Sequence, residues 1–297
     1  MGTPRRSGWL VLLLLGLLVL VAPSAASAAS PSRDATAYRL VTGLQGGAGS
    51  TIGPDRALYV TETAAGRVTR VDPKTGATTT YASGLPKAIV GTGGPIDVAF
   101  IGRTAYALVT LVGPDVGGSD VVGIYRVDGP SSFTVVADIG AFSIANPPDT
   151  SFFVPSGVQY ALQTVRGGFL VTDGHHNRVL RVALDGEVTE SIAFGNIVPT
   201  GLEVQGRTIC LAEAGPVPHL PENGKVVAFR PGSTTARQVA SGSPLLVDVE
   251  LGRGHRLYAI SQATSSPEAP RARPHCRTPA PWERSTGTAP SPSSSTV

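Results

Sequence analysis

Charge and sulfur are both scarce in this chain of 297 residues: 15% Asp, Glu, Lys and Arg, two cysteines and one methionine. The charge that is present does not collect in a stripe. The sequence pI of about 9.0 reflects the two ends. Arg5 and Arg6 open the chain, and Arg271, Arg273, Arg277 and Arg284 follow Gln262, against only Glu268 and Glu283. Residues 30–262 hold 18 basic and 19 acidic residues, a body of about −1. Such a body cannot neutralise a phosphate backbone, which excludes nucleic acid as the expected partner. Two cysteines make no disulfide framework. Cys210 sits in an apolar strand and Cys276 in an odd tail, so the expectation is a buried free thiol and an unpaired tail thiol. A bridge between them is the alternative.

Helical periodicity is also missing, as are the signatures of a covalent nucleophile. There is no GxSxG elbow, no SxxK and no CxxC. Gly91-Thr92-Gly93-Gly94 lacks the Lys-Ser/Thr of a phosphate-binding loop and reads as a turn. One long apolar run exists, Trp9 to Val21, preceded by Arg5-Arg6 and followed by Ala25-Ala26-Ser27-Ala28-Ala29. It is shorter than the roughly 20 residues a membrane span needs, and a small-residue cleavage site follows it. Residues 1–29 therefore read as a secretory signal peptide. The mature chain is expected to be secreted or otherwise extracytoplasmic, with no transmembrane span.

Val, Thr, Gly and Pro fill the body, and a phrase recurs in it: apolar strand, acidic residue, polar turn, then a basic residue and a second strand. It reads Ala57-Leu58-Tyr59-Val60-Thr61-Glu62, then Gly66-Arg67-Val68. It returns as Phe169-Leu170-Val171-Thr172-Asp173, then Asn177-Arg178-Val179, and more loosely as Ile209-Cys210-Leu211-Ala212-Glu213, then Gly224-Lys225-Val226. Short strands repeated at this period imply an all-β chain, a β-propeller of four-stranded antiparallel blades over residues 30–262. Blade one is expected from about Gly49 to Ser83. Later blades start at Pro95, Pro155, Pro199 and Leu246. Ala37–Thr42 is expected to be a strand closing the ring. Two insertions, Val112–Val121 and Phe142–Phe153, read as rim loops, where function concentrates.

Four stretches carry a family resemblance: Gly53-Pro54-Asp55-Arg56-Ala57-Leu58-Tyr59-Val60-Thr61-Glu62, Val171-Thr172-Asp173-Gly174-His175-His176-Asn177-Arg178-Val179, Val198-Pro199-Thr200-Gly201-Leu202-Glu203, and Ala212-Glu213-Ala214-Gly215-Pro216-Val217-Pro218. On them, residues about 37–262 resemble the ScyD/ScyE family of exported bacterial propeller proteins. That family is related to NHL-like and gluconolactonase-like six-bladed propellers. The resemblance implies a six-bladed fold whose last blade is incomplete or missing here. It brings no defined activity and no catalytic residues.

Beyond Gln262 the strand pattern stops and Pro, Ser, Thr, Arg and Ala take over. One reading is a disordered tail. A sharper one is a frameshift near Thr264–Pro267. Reading the Ser- and Thr-rich codons out of frame permits an Asn-Gly-Asp-Gly turn and an alternating strand like Phe133-Thr134-Val135-Val136-Ala137-Asp138. On that expectation residues 263–297 carry no function.

Three sets of residues are candidates for chemistry. Aligned blade starts place Asp97, Gly157, Gly201 and Asp248 together, and Ala99, Gln159, Glu203 and Glu250 two residues on, the same face of a strand. Asp97, Gln159, Glu203, Asp248 and Glu250 are thus expected to line the central channel. Carboxylates so clustered repel unless protons or a hard cation such as calcium or magnesium neutralise them; screened carboxylates in a wet channel are the simpler expectation. Glu62, Asp173 and Glu213 end the strand of the repeated phrase. They read as partners of turn amides or of Arg67 and Arg178, with metal ligation as the alternative. His175, His176 and His219 are rim candidates for a ligand. The reading is a non-catalytic propeller that binds a small molecule, glycan or protein. The alternative is a divalent-metal-dependent, lactonase-like hydrolase.

Overall fold

A computed structural model describes residues 38–262, apart from 217, 218, 221, 253 and 255, together with the backbone of 284–285. The expected signal peptide (1–29) and, apart from 284–285, the tail for which a frameshift is expected (263–297) lie outside the described residues. The chain divides into Met1–Arg39 and Leu40–Val297, and the propeller lies in the second.

Alternating Val, Thr and aromatic residues build short strands, because β-branched side chains fit a pleated, half-buried surface. Blade one comprises β1 (Gly47–Ile52), β2 (Leu58–Glu62), β3 (Arg67–Val71) and β4 (Thr78–Ser83). Blade two comprises β5 (Gly94–Ile101), β6 (Thr104–Thr110), β7 (Gly123–Gly129) and β8 (Ser132–Asp138). A short helix, α1 (Ile139–Ala145), precedes blade three: β9 (Gln159–Val165), β10 (Gly168–Asp173), β11 (Arg178–Ala183) and β12 (Val188–Ala193). Blade four comprises β13 (Pro199–Gln205), β14 (Thr208–Glu213), β15 (Lys225–Phe229) and β16 (Arg237–Ser241). A fifth sheet pairs β17 (Leu246–Leu251) with β18 (Leu257–Ser261), and the two-residue β19 (Arg284–Ser285) adds parallel to β18. Every other pairing is antiparallel between consecutive strands. Among the described residues, then, four blades are complete.

The cores lie between the blades. Tyr59 and Val68 of blade one meet Val98, Ala105 and Ala107 of blade two. Leu108 and Ile124 meet Leu162, Phe169 and Val171 of blade three. Leu170 and Val179 meet Leu202, Ile209 and Leu211 of blade four. Cys210 and Ala212 meet Val249 and Leu257 of the fifth sheet. Each Val, Leu, Ile or Phe among them contributes roughly 1.5–3 kcal/mol on burial. This succession of interfaces fixes the radial order of the sheets.

Polar bonds stitch the inner strands together. Thr61 Oγ1 donates to Ile96 O at 3.2 Å, and Thr172 Oγ1 to Thr200 O at 2.6 Å. Thr200 Oγ1 in turn donates to Leu246 O at 3.0 Å. Close approach requires glycine at two of these seams. A Cβ on Gly49 would stand 2.6 Å from the Asp97 Cα, and one on Gly201 2.5 Å from the Asp248 Cα. All five innermost pairs break register near the same end, at Gly47/Ser50, Pro95/Asp97, Val171/Asp173, Pro199/Leu202 and Leu246/Asp248. Such bulges steepen the local twist of a narrow sheet.

Three expectations need correction. Leu40–Thr42 form no strand. This stretch instead runs beside blade one, where Gln45 N donates to Glu62 Oε2 at 2.6 Å. A polar cavity of about 170 Å³ there is lined by Thr42, Leu44, Glu62, Arg67, Thr69 and Thr80, among others. Cys210 is not a free thiol: it is disulfide-bonded, and the sequence's other cysteine, Cys276, lies outside the described residues. Blade three also starts later than its Pro155-Ser156-Gly157-Val158 pattern suggests. Gly157 sits in a turn at φ +77°, and the strand begins at Gln159.

Candidate functional site

Strand direction collects the long connections at one end of the molecule. There lie the β6–β7 loop (111–122), the segment carrying α1 (139–158), the β10–β11 turn (174–177) and the β14–β15 loop (214–224). Both predicted insertions and all three candidate histidines share this end. Among the described residues no helix is long and apolar enough to cross a membrane.

The repeated acid and base stand opposite each other across the second and third strands. Glu62 is in register with Arg67, Asp173 with Arg178, and Glu213 with Lys225. Glu62 is fully buried and saturated. It accepts from Arg67 Nε at 2.8 Å and Nη2 at 2.9 Å, from Gln45 N, and from the Thr69 hydroxyl. Burial alone would raise its pKa, but these donors outweigh burial and hold it below the usual carboxylate range. Asp173 accepts from Arg178 Nε at 3.0 Å, Gln159 Nε2 at 3.2 Å and Ser143 Oγ at 3.3 Å. Arg178, 2% exposed, also donates to Asn146 O and lies 5.5 Å from the Phe142 ring, so it ties α1 to blade three. Carboxylates so occupied by cationic and amide donors leave no face for a metal ion. Glu213 differs: it is buried with no such donors, and burial pushes it up to about 7.

His176 and His175 part ways within one turn. His176 is buried, with Nε2 3.0 Å from Val154 O and Nδ1 3.1 Å from Arg178 Nη2. A carbonyl only accepts and a guanidinium only donates, so the proton sits on Nε2 and the contact of Nδ1 with Asp173 is no salt bridge. His176 is therefore a structural pin. Asn177 takes φ +55° and accepts from Ile197 N and Val198 N at 2.9 and 3.0 Å, fastening the turn to the start of blade four. His175 lies between Phe153 at 4.8 Å and Tyr160 at 6.4 Å, ring centre to ring centre. Burial lowers its pKa, and His219 is close enough to lower it further. Neither ring nitrogen of His175 and no hydroxyl bond of Tyr160 finds a partner among the described residues. His219 Nδ1 donates to Ala214 O at 3.3 Å, which leaves Nε2 as an acceptor.

Of the residues expected to line a channel, the structure brings Asp97, Glu203, Asp248 and Glu250 within electrostatic reach of one another and removes Gln159. Val98, Leu162, Leu202 and Val249 each back onto the preceding blade. The equivalents of Asp97 are therefore Ala161, Gly201 and Asp248, and Gln163 replaces Gln159 in the second row. Gln159 is fully buried at the loop-bearing end, bonded to Thr110, Ser156 O and Asp173. Asp97 Oδ1 accepts from Val98 N and Oδ2 from Leu162 N on blade three, both at 2.8 Å. Asp248 repeats only the first bond, from Val249 N at 2.8 Å. Burial pushes Asp97 up to about 8, against those two N–H groups and with help from the charges of Asp248 and Glu250. Burial likewise pushes Glu203 up to about 7, aided by Glu250, and Asp248 up to about 6. Glu203 and Glu250 stand close enough to act on each other, and Glu250 adds to the upward push on Glu203. Among the described residues no three His, Cys, Asp or Glu groups converge tightly enough to hold one metal ion. These carboxylates have the oxygen chemistry of a calcium or magnesium site but not its geometry.

The fold is a β-propeller of four-stranded antiparallel blades and is similar to six-bladed β-propellers. A gluconolactonase from Xanthomonas campestris superposes with a TM-score of 0.53 at 14% identity, covering 75% of this chain and 72% of its own. A chain of the nidogen/laminin complex gives 0.50 at 16% identity, covering 74% and 73%. Virginiamycin B lyase from Staphylococcus aureus gives 0.49 at 12% identity over 73% of this chain, which spans 64% of the lyase. No family model and no curated protein matches the sequence. A gluconolactonase and a chain of the nidogen/laminin complex share this propeller architecture, which shows the fold and leaves the chemistry to the site.

Sequence reasoning missed Tyr160, Phe153, Ser143 and Gln45, whose partners lie far along the chain. Lys225 was legible: it stands where the other two copies of the phrase have arginine.

Proposed function

We propose that this chain is an exported, non-catalytic, ScyD/ScyE-like propeller that binds a small molecule, glycan or protein partner on its loop-bearing end. The observation that carries the reading is the set of unsatisfied polar groups there: His175, the Tyr160 hydroxyl and His219 Nε2, beside the exposed ring of Phe153. Neighbouring polar groups at that end are used structurally: Arg178, Asp173, Gln159, His176 and Asn177 bond one another or the backbone. Aromatic rings beside uncommitted hydrogen-bonding groups suit recognition. A screen of soluble oligosaccharides and small-molecule fragments by ligand-observed NMR tests it. Hits should weaken at least about tenfold, 1.4 kcal/mol, in His175→Ala and Tyr160→Phe, with no turnover of the ligand. Hits indifferent to both variants, or turned over, would sink the reading.

A second reading, divalent-metal-dependent lactonase-like hydrolysis, draws on the clustered, proton-hungry carboxylates Asp97, Glu203, Asp248 and Glu250. It requires calcium- or magnesium-dependent opening of a lactone by the purified protein, lost in Asp248→Asn while the fold persists. A protein that shows no thermal shift with either ion and no lactone hydrolysis excludes it.

A further inference from the structure

The three copies of the acid–base pair are not equivalent in what surrounds the acid. In blades one and three the carboxylate holds a guanidinium, and further donors complete its shell. The Gln45 amide and the Thr69 hydroxyl do so for Glu62, and the Gln159 amide and the Ser143 hydroxyl for Asp173. In blade four each kind of donor has been replaced. The residue in register with Glu213 on the inner strand is Pro199, which has no N–H, where blade three has Gln159. The residue two beyond the base is Val227, where blade one has Thr69. The base itself is Lys225, a point charge in place of a planar fork. Among the described residues Glu213 forms no hydrogen bond and no ion pair, although it is only 4% exposed. A buried carboxyl without partners is costly. Its oxygens are not among the sealed, unbonded atoms, which are Ser156 Oγ and Ser243 Oγ, so solvent reaches them.

We propose that Glu213 is the floor of a socket that takes a guanidinium group from a ligand, in the place that Arg67 and Arg178 fill in the sister blades. The socket lies where Glu213 runs into the 214–224 loop, at the end that carries His219 and His175. Lys225 opposite it supplies charge balance but not the bidentate fork. The proposal rests on the reading of this end as the ligand-binding end and names one group the ligand carries. Burial pushes Glu213 up to about 7, so a guanidinium that binds there displaces a proton from the carboxyl.

The probe is n-butylguanidinium, with n-butylammonium and tetramethylammonium as comparators, titrated by calorimetry into the full mature chain. Saturable binding of butylguanidinium is expected, tighter than that of either comparator, and at least about tenfold weaker in Glu213→Gln. Lys225→Arg supplies the fork internally. It should block the probe to the same degree and raise the Tm of the free protein, a shift that loss of fold cannot mimic. Absence of saturable binding to the wild-type chain would overturn the socket. So would binding that both variants leave unchanged. Binding lost in His175→Ala but kept in both socket variants would overturn the socket and leave the rim reading standing.

Discussion

At the scale of single residues, the same acid means different things in different blades, and its neighbours decide which. Glu62 and Asp173 are caged by donors, whereas Glu213 lacks them among the described residues. Arg178 shows what the cage contributes. It is 2% exposed and bonds Asp173, Ser143, Asn146 O and His176 together. Removing one partner of a buried pair leaves an uncompensated charge, which costs about 3–5 kcal/mol. Arg178→Ala should therefore lower stability by that amount in urea denaturation, and loosen α1. Lys225→Ala, which breaks no hydrogen bond, should cost under about 1 kcal/mol. Equal losses in the two variants would show that the cage is not what holds this corner. The repeated acid, turn and base were legible in the sequence because they sit at strand ends, where register is local. The cage was not, because Ser143 and Asn146 come from α1 and its C-cap, some 30 residues upstream of Asp173 and Arg178.

At the scale of elements, the inner strands show both the strength and the failure of pattern reading. Asp97 and Asp248 could be placed from the sequence because their strands share a Val-rich frame and the same bulge. Blade three could not, because Pro155-Ser156-Gly157-Val158 imitates a strand start while Gly157 turns the chain under the Asp173 carboxylate. The buried carboxyls of the inner strands and of β14 also predict a pH response. The folded pKa values of Asp97, Glu203 and Glu213, about 8, 7 and 7, lie above their unfolded values, so near neutrality the folded state binds more protons than the unfolded one. Stability then falls as pH rises through these values. His175 is shifted downward and acts in the opposite sense below its ordinary 6.5. The clean window is therefore pH 6.5 to 8.5. The Tm should drop by a few degrees across it, at roughly 2–4 °C per kcal/mol for a domain of this size. Glu203→Gln with Glu213→Gln should flatten the slope. A Tm that holds or rises over this window would mean that the channel carboxylates are ionised at no cost.

At the scale of the whole molecule, the interblade cores grade the stability of the ring. Blades two, three and four each pack apolar side chains on both faces. Among the described residues, blade one and the fifth sheet pack on one. Among the described residues β17 and β1 make no contact comparable to those between the other inner neighbours. The strand at the open side of blade one is largely exposed, with Ile52 at 61%, and Ile260 on β18 is 44% exposed. A stack of sheets opens from the units with fewest neighbours, because each contributes its own stability plus that of its interfaces. Hydrogen exchange in native buffer should therefore find the slowest amides in β10 and β14 and the fastest in β1 and β18, with blade two nearer the slow group. The polar stitches sharpen the contrast: Asp97 reaches across to blade three through Leu162 N, whereas Asp248, in the equivalent position, holds only its own strand. Uniform protection from β1 to β18 would mean that the outer faces of blade one and the fifth sheet are covered in solution. The first places to look for the cover would then be the surfaces around Ile52 and Ile260.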